Sequence, residues 1–215
     1  MISLSVVVPV YSGEAYLSVL LDEIGAVRKD LECRGMPLRL DEVIFVDDGA
    51  IDGSAAIIDK LADSFGYVTA LHLSRNFGQH PATIAGILHT SGDWVVTLDE
   101  DMQHPPSRII DLFEVVVKSG ADVVYGRPKS NVHQSVTRDF SSRKFKAIIE
   151  RLTGNKHISK ANSFRLVRGS VARAASSVCG HDTYFDIALS WFTQRIESRQ
   201  MVLKDTRFIE TGKSG

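Results

Sequence analysis

Two hydrophobic periodicities alternate along the first 126 residues. Short, nearly continuous apolar runs are typical of strands covered on both faces, whereas apolar residues at roughly every third or fourth position are typical of amphipathic helices. The strands are predicted at Leu4–Val10, Glu42–Val46, Val68–Leu73, Trp94–Leu98 and Ala121–Tyr125. The helices are predicted at Glu14–Asp30, Ser54–Phe65, Pro81–Thr90 and Ser107–Lys118. This alternation predicts an α/β fold with a mostly parallel central sheet flanked by helices.

The pattern is looser after Gly126. A polar loop is predicted over Arg127–Arg138 and an amphipathic helix over Arg143–Leu152, whose apolar stripe either packs on the sheet or lies in a lipid headgroup interface. The other predicted elements are a short strand at Ser163–Val167, helices at Gly169–Val178 and Thr183–Thr193, and an extended segment at Met201–Arg207.

The composition is that of a globular protein, with 44% hydrophobic and 24% charged residues, and the 215 residues suffice for one large domain. The sequence has no apolar run of transmembrane length and no secretory signal pattern. Its two cysteines, Cys33 and Cys179, lack metal-ligand spacing and suggest no disulfide framework. These features predict a protein of the reducing cytosol.

A strong charge asymmetry lies behind the overall net charge of −1. Residues 1–126 contain 8 Lys and Arg against 19 Asp and Glu, a net charge of −11, whereas residues 127–215 contain 17 against 7, a net charge of +10. The basic part is expected to face phosphates, an acidic membrane surface or nucleic acid. The alternative is that these residues only coat solvated helix faces.

The segment with the clearest chemistry is Val96–Pro106, in which a buried strand runs into Asp99, Asp101 and Gln103. In an extended chain these three residues share one face, so their oxygens would converge at the carboxyl end of the strand. Mg²⁺ and Mn²⁺ bind such oxygens and complete their coordination with phosphate. The alternative is a polar loop that caps the next helix.

Acidic residues also follow the neighbouring strands. Asp47 and Asp48 end the second strand, where carboxylates accept hydrogen bonds from a nucleobase or a ribose. Asp52 or Ser54 is expected to cap the next helix. Arg75, after the third strand, is placed to stack on a base or pair with a phosphate, the alternative being a surface salt bridge. Neither a Gly-x-Gly-x-x-Gly nor a Walker motif occurs, so dinucleotide and P-loop binding are not supported.

Taken together, these motifs resemble glycosyltransferase family 2, of the GT-A fold, and more closely its polyprenol-phosphate sugar transferases, the dolichol-phosphate mannosyltransferase-like group. The matching stretches are Val6–Glu14, Val46–Ser54, Leu73–Gly78, Gly92–Pro106, Asp122–Arg127, Asn162–Arg168 and Arg207–Ser214. The resemblance implies one catalytic domain, with a nucleotide-sugar-binding half at 1–126 and a partly helical acceptor-side half at 127–215.

The resemblance implies a role for each matching residue on the donor side. The residues that resemble contacts to the nucleotide base and ribose are Pro9, Tyr11, Glu14 and Asp48. Asp99 resembles the contact to the ribose or the donor sugar, and Asp101 and Gln103 resemble the ligands of Mg²⁺ or Mn²⁺, with the donor diphosphate completing the coordination.

On the acceptor side, Arg127 lies where the family has a phosphate-facing arginine. Arg138 and Ser142 resemble the pair that meets the lipid phosphate, and Arg207 and Lys213 resemble the element that closes over the diphosphate.

Three positions depart from the family pattern. Ser12 replaces the usual Asn, Ala50 the usual Ser, and Glu100 a small residue between the two aspartates. These changes bear on donor specificity rather than on the class of reaction. A Gln-x-x-Arg-Trp motif is absent, which makes the processive polysaccharide synthases a poorer match.

The expected activity is metal-dependent sugar transfer from a nucleotide-sugar to a polyprenol phosphate, by a protein peripherally bound at the cytoplasmic membrane face. One alternative is transfer to a saccharide or protein hydroxyl, for which Asp186 is the candidate base unless it is only a helix-face acid. A catalytically silent nucleotide-binding or membrane-scaffold module is another. Nucleic acid is not an expected partner, because the basic part has no nucleic-acid-binding motif and few aromatic residues.

Overall fold

The computed structural model describes residues 1–129, 162–180 and 183–202. It contains seven strands: β1 Ile2–Val10, β2 Leu38–Asp47, β3 Val68–His72, β4 Trp94–Thr97, β5 Val123–Pro128, β6 Arg165–Arg168 and β7 Ile196–Met201. The α-helices are α1 Leu17–Cys33, α2 Ser54–Ser64, α3 Gln79–Leu88, α4 Ile109–Ser119, α5 Gly169–Val178 and α6 Phe185–Phe192. A 3₁₀ turn at Pro106–Arg108 precedes α4.

All seven strands form one sheet in the order β3-β2-β1-β4-β6-β5-β7. The pairs β1·β2, β1·β4, β2·β3 and β5·β7 are parallel, whereas β6 runs antiparallel to both of its neighbours, β4 and β5. The prediction of a mostly parallel sheet is confirmed. The antiparallel insertion of β6 brings the residues before Arg165 to the carboxyl ends of β4 and β5.

Each face of the sheet has its own hydrophobic core. On one face Leu4, Val6 and Val8 of β1 pack with apolar residues of α1, α2 and α4. On the other face Val7, with inward residues of the neighbouring strands, packs with apolar residues of α3, α5 and α6. Because β1 is covered on both sides, it needed the continuous apolar run by which it was predicted.

The predicted elements differ from the observed ones mainly near the C-terminus. Of the extended segment predicted at Met201–Arg207, residues 203–207 lie outside the described residues. The last described strand, Ile196–Met201, begins before that segment, at a position where no strand was predicted. Its sequence, Ile-Glu-Ser-Arg-Gln-Met, lacks an apolar run because β7 lies at the sheet edge with partly exposed side chains. The predicted helix Arg143–Leu152 lies outside the described residues.

Asp122 joins three elements at the end of the sheet opposite the carboxyl ends of β4 and β5. Its buried carboxylate accepts hydrogen bonds from Arg168 of β6, and from Thr193 and Arg195 before β7. Burial alone would raise the pKa of Asp122, but these hydrogen bonds lower it below its ordinary value. The carboxylate therefore stays charged and links the neighbouring ends of β5, β6 and β7.

Across residues 1–129, 162–180 and 183–202, none of the helices combines the length and the apolar character needed to cross a bilayer.

Candidate active site

The turn after β4 places Asp101 beside Gln103. The strand ends at Thr97, and residues 100–104 form a turn in which Met102 has a φ of +62°. The backbone N–H of Gln103 donates to Asp101 Oδ1 at 3.1 Å, and its Nε2 donates to Oδ2 at 2.7 Å. The prediction that residues 99–103 are extended and share one face was therefore wrong. The left-handed residue reverses the chain, and the turn brings the two side chains together.

Asp99 lies at the meeting point of three elements. Its Oδ1 accepts a hydrogen bond from Gln79 Nε2, at the start of α3, at 2.6 Å, and its Oδ2 accepts one from Ser163 Oγ, just before β6, at 2.8 Å. The ring of His104 is buried against Asp99 and stacks on Phe164, and this burial lowers the pKa of His104. Asp99 is thus held from both sides of β4.

The residues of this turn fit a divalent cation. Rotation of the Gln103 amide would present its oxygen beside the Asp101 carboxylate, and Mg²⁺ and Mn²⁺ bind one or two such oxygens together with substrate phosphates. Among the described residues, no group of three or more His, Cys, Asp or Glu side chains is arranged to hold a metal. Asp101 and Gln103 are the residues that would hold the ion.

The loop after β1 lies directly opposite this turn. Pro9 is buried and has no N–H to donate. The pairing of β1 with β4 ends at Val7, so the sheet loses no hydrogen bond to β4 at Pro9. Tyr11 has an exposed side chain, while the backbone N–H groups of Tyr11 and Ser12 both donate to the Glu100 carboxylate. Burial raises the pKa of Glu100, against the opposing effect of these N–H groups.

Glu14 and Asp52 connect the same loop to the start of α2. The N–H of Gly53 donates to the Glu14 carboxylate at 2.8 Å, and the N–H of Glu14 donates to Asp52 at 3.2 Å. Asp52 also accepts the N–H of Ser54, the first residue of α2, but the N-cap of that helix is Gly53, so neither Asp52 nor Ser54 holds the expected capping position. Burial alone would raise the pKa of Asp52, but hydrogen bonds from Ser54 and Glu14 lower it.

Asp48 and Asp47 hold protein groups within the loops at this edge. The N–H groups of Phe77 and Gly78 donate to the two oxygens of Asp48, which is 2% exposed. Asp47 accepts the N–H of Ala50 and pairs with the ring of His72. The nucleobase and ribose contacts expected of both carboxylates stay predictions, and Asp48 would make its contact through lone pairs that the two amides leave unused.

Arg75 stacks over the Phe77 ring, with its guanidinium carbon 4.6 Å from the ring centre. The loop that carries it lies against Gly49, where an added Cβ would be 2.6 Å from the backbone nitrogen of Asn76. Gly49 also has a φ of +67°, which disfavours any other residue. The stacking or phosphate contact expected of Arg75 stays a prediction, and the neighbour of Arg75 in the structure is the Phe77 ring.

Asp186 belongs to a buried ion pair. It lies in the first turn of α6, where its Oδ1 accepts hydrogen bonds from Arg165 at 2.6 Å and from the Tyr125 hydroxyl at 2.8 Å. Burial and the neighbouring carboxylate keep the pKa of Tyr125 well above its ordinary value, so the hydroxyl remains a donor. A carboxylate engaged in this way is poorly placed to act as the base for which it was a candidate.

Arg127 lies at the carboxyl end of β5, partly exposed and paired with Gln200 of β7. The four other predicted acceptor-side residues, Arg138, Ser142, Arg207 and Lys213, lie outside the described residues.

Four further residues shape the site without having been proposed from the sequence. Gln79 and Ser163 hold Asp99, Glu100 holds the β1 loop, and Arg165 holds Asp186. Of these four, only Glu100 stood out in the sequence, because it replaces the family's small residue between Asp99 and Asp101. The other three are polar residues whose partners are 20 to 64 positions away in the sequence.

Comparison with known proteins identifies the family. The family model for glycosyl transferase family 2 matches residues 5–174. The chain belongs to glycosyltransferase family 2. As a member of that family it has the GT-A fold, and its seven-stranded mixed sheet is shared with the solved glycosyltransferases that it resembles.

Its curated relatives include undecaprenyl-phosphate 4-deoxy-4-formamido-L-arabinose transferases. The Klebsiella pneumoniae protein is 34% identical over 192 residues, which cover 89% of this chain and 56% of the relative. The Serratia proteamaculans protein is 35% identical over 205 residues, covering 95% and 60%. The chain thus spans somewhat more than half the length of these relatives.

The similar solved structures are more distant in sequence. Glucosyl-3-phosphoglycerate synthase from Mycobacterium tuberculosis has a TM-score of 0.65 at 18% identity, covering 95% of this chain and 72% of that one. The same synthase was solved with Mn²⁺, UDP and phosphoglyceric acid. S. aureus TarS 1–349 with UDP-GlcNAc has a TM-score of 0.61 at 16% identity, covering 94% and 57%. At these identities the similarity establishes the fold alone.

Proposed function

We propose that this protein transfers a sugar from a nucleotide diphosphate donor to a polyprenol phosphate, with a divalent cation bound at Asp101 and Gln103. The observation that carries the proposal is the pairing of these two side chains next to Asp99, at the carboxyl edge where β1 and β4 end. Ligands of open α/β sheets bind at that edge. The names of the relatives, transferases acting on undecaprenyl phosphate, support the acceptor class.

The donor would lie across the loops that follow β1, β2 and β4. The exposed Tyr11 and the Arg75–Phe77 pair offer flat surfaces to a base, and Asp48 offers a carboxylate. Asp99, about a quarter exposed, would accept hydrogen bonds from ribose or sugar hydroxyls beyond those it already receives. These side chains therefore recognise neutral hydrogen-bonding groups, and the cation receives the diphosphate.

The cation, Mg²⁺ or Mn²⁺, would offset the negative charge that develops on the departing nucleotide diphosphate. The protein contributes by holding two carboxylates in place. The cation ligand Asp101 is fixed by the backbone of its own turn, and the donor contact Asp99 is fixed by α3 and the segment before β6. Carboxylates held in advance need little rearrangement when the donor binds, whereas the Gln103 amide would rotate.

An anionic acceptor would need no general base. A lipid phosphate is already a nucleophile at neutral pH, whereas a sugar hydroxyl needs a group to take its proton. Asp186, the candidate for that role, is paired with Arg165 and Tyr125. Arg127, together with Arg138, Ser142, Arg207 and Lys213 from the basic half, would receive the acceptor phosphate and the donor diphosphate. The reaction would take place at the cytoplasmic membrane face.

The test is a transfer assay with matched acceptors. The protein is incubated with UDP-, GDP- and dTDP-sugars, with Mn²⁺ or Mg²⁺, and with either undecaprenyl phosphate or undecaprenol. We expect one donor to be consumed only with the phosphate and the metal present, giving a lipid-phosphate sugar by mass spectrometry. Transfer to undecaprenol or to added oligosaccharides instead would support the hydroxyl-acceptor alternative and overturn the proposal. Nucleotide binding without turnover of any donor would point to a silent nucleotide-binding module, and failure to bind any nucleotide would point to a membrane-scaffold module.

A further inference from the structure

The side chain of Glu100 spans the gap between the turn after β4 and the loop after β1. The N–H of Tyr11 donates to Glu100 Oε2 at 3.0 Å, and the N–H of Ser12 donates to Oε1 at 3.1 Å. Strand β1 ends at Val10, so neither N–H belongs to a strand pairing. The carboxylate thus satisfies two neighbouring backbone donors that the sheet leaves unpaired.

Gly13 lets this contact form. A Cβ added at Gly13 would lie 2.6 Å from Glu100 Oε2 and 3.3 Å from Glu100 Cβ. Any side chain at position 13 would therefore push the carboxylate away from the two N–H groups. The backbone of Gly13 has no positive φ, so steric conflict with Glu100 is the main obstacle to a larger residue.

The other side of the loop is attached to α2. The N–H of Gly13 donates to Ser54 Oγ at 3.0 Å, and the N–H of Ile51 donates to the Tyr11 carbonyl at 3.1 Å. Glu100 is thus the contact from the turn after β4 to a loop already anchored on the nucleotide side. Charge-assisted hydrogen bonds of this kind are about twice as strong as neutral ones.

We propose that Glu100 is a positioning residue, which fixes the Tyr11–Gly13 loop to the Asp99–Gln103 turn so that the nucleoside and metal sides of the donor site form as one unit. This inference rests on the proposed donor site. In this role the oxygens of Glu100 serve the two backbone N–H groups, and the donor and the cation are bound by other residues. Its loss would affect nucleotide and metal binding together.

The experiment uses a double-mutant cycle with Glu100→Ala and Gly13→Ala in the full chain, and Glu114→Ala on α4 as the matched control. The first measurement is hydrogen exchange at the amides of Tyr11 and Ser12. We expect each single variant to speed this exchange about tenfold or more, and Gly13→Ala to add little once Glu100 is gone. Glu100→Gln, which retains one acceptor oxygen, should give an intermediate rate.

The second measurement is binding of UDP and GDP in the presence of Mn²⁺. We expect about tenfold weaker nucleotide affinity in both single variants. The Mn²⁺ concentration needed for half-maximal nucleotide binding should rise by a similar factor. In the transfer assay the KM for the donor should rise more than kcat falls. Melting temperatures identify any variant that fails to fold. If Glu100→Ala fails to fold, Glu100→Gln takes its place.

Two results would overturn the inference. One is unchanged amide exchange in Glu100→Ala. The other is a loss of Mn²⁺ affinity in Glu100→Ala that Gly13→Ala does not reproduce, because that pattern is expected of a direct metal ligand. If the parent protein binds none of UDP, GDP and dTDP, the donor proposal fails, and amide exchange alone decides whether Glu100 orders the loop.

Discussion

At the residue scale, the proposed metal site depends on the carboxylate of Asp101. We expect Asp101→Ala to abolish Mn²⁺-dependent nucleotide binding and sugar transfer. Asp101 is only partly buried, and its contacts lie within its own turn, so the melting temperature should change little. Calorimetry with UDP and GDP measures binding, and Asp63→Ala, an exposed change on α2, is the control. Metal-dependent binding that survives in Asp101→Ala would contradict the assignment.

Asp48 has two roles in the proposed donor site, one in loop structure and one in base binding. Its carboxylate receives the N–H groups of Phe77 and Gly78 and is the proposed partner of the base. Asp48→Asn keeps the shape but turns one acceptor into a donor, so we expect about tenfold weaker nucleotide affinity, from the roughly 1.5–3 kcal/mol of one charged hydrogen bond. Calorimetry gives the affinity, and amide exchange should show faster exchange at Phe77 and Gly78. Equal nucleotide affinity would limit Asp48 to loop structure.

His72 makes part of the stability pH-dependent. Its ring bridges Asp47 of β2 and Asp59 of α2, and these hydrogen bonds raise the pKa of His72 above its ordinary 6.5. The stabilisation is fully present below pH 6.5 and is lost as the pH rises through the folded-state pKa. We therefore expect the parent to melt above His72→Gln at about pH 6, with the difference shrinking towards about pH 8.5. A constant difference across that range would contradict the bridge.

At the element scale, the close packing of α3 against β1 and β2 depends on Gly86. A Cβ at Gly86 would collide with Val7 of β1 and lie 2.8 Å from Val46 Cγ2 of β2. Although alanine favours helices, we expect Gly86→Ala to lower the free energy of unfolding by about 1–3 kcal/mol, as overpacking does. It should also weaken nucleotide binding, because α3 begins at Gln79, the partner of Asp99.

The control for α3 is Gly66→Ala, since an added Cβ there meets nothing within 4 Å. Urea denaturation should show that variant to be as stable as the parent or slightly more stable. Equal stability of Gly86→Ala and Gly66→Ala would mean that α3 can shift outward at no cost.

The elements of the first half were predictable because each carries its own burial pattern. Strand β1 is covered on both faces and α1 on one, and their apolar periodicities differ accordingly. The start of strand β7 at Ile196 was not predicted, because half-exposed edge residues give a weak pattern. The direction of β6 was not predictable, because Arg165–Arg168 has the same local pattern whether it runs parallel or antiparallel.

At the scale of the whole molecule, the charge asymmetry leads to a prediction about membranes. The net charge of +10 over residues 127–215 should attract the protein to anionic vesicles, because each Lys or Arg near such a surface contributes about 1 kcal/mol. Co-sedimentation should increase with phosphatidylserine content and fall with added salt. Lys144→Glu with Lys146→Glu should weaken it, whereas Lys29→Glu with Lys60→Glu, in the acidic half, should have little effect. Equal losses in both pairs would argue against a specific basic face.

The sequence by itself determined the fold class, the family and the residue types of the proposed donor site. Burial periodicity and the motifs at strand ends are local, so they can be read without knowing which elements are neighbours. Only the tertiary structure decided what these residues contact. The contact between Glu100 and Tyr11 joins residues 89 positions apart, and the contact between Asp99 and Ser163 joins residues 64 apart. The turn at Met102, not an extended strand, pairs Asp101 with Gln103. Such contacts depend on strand order and chain reversal, which hydrophobic pattern does not encode.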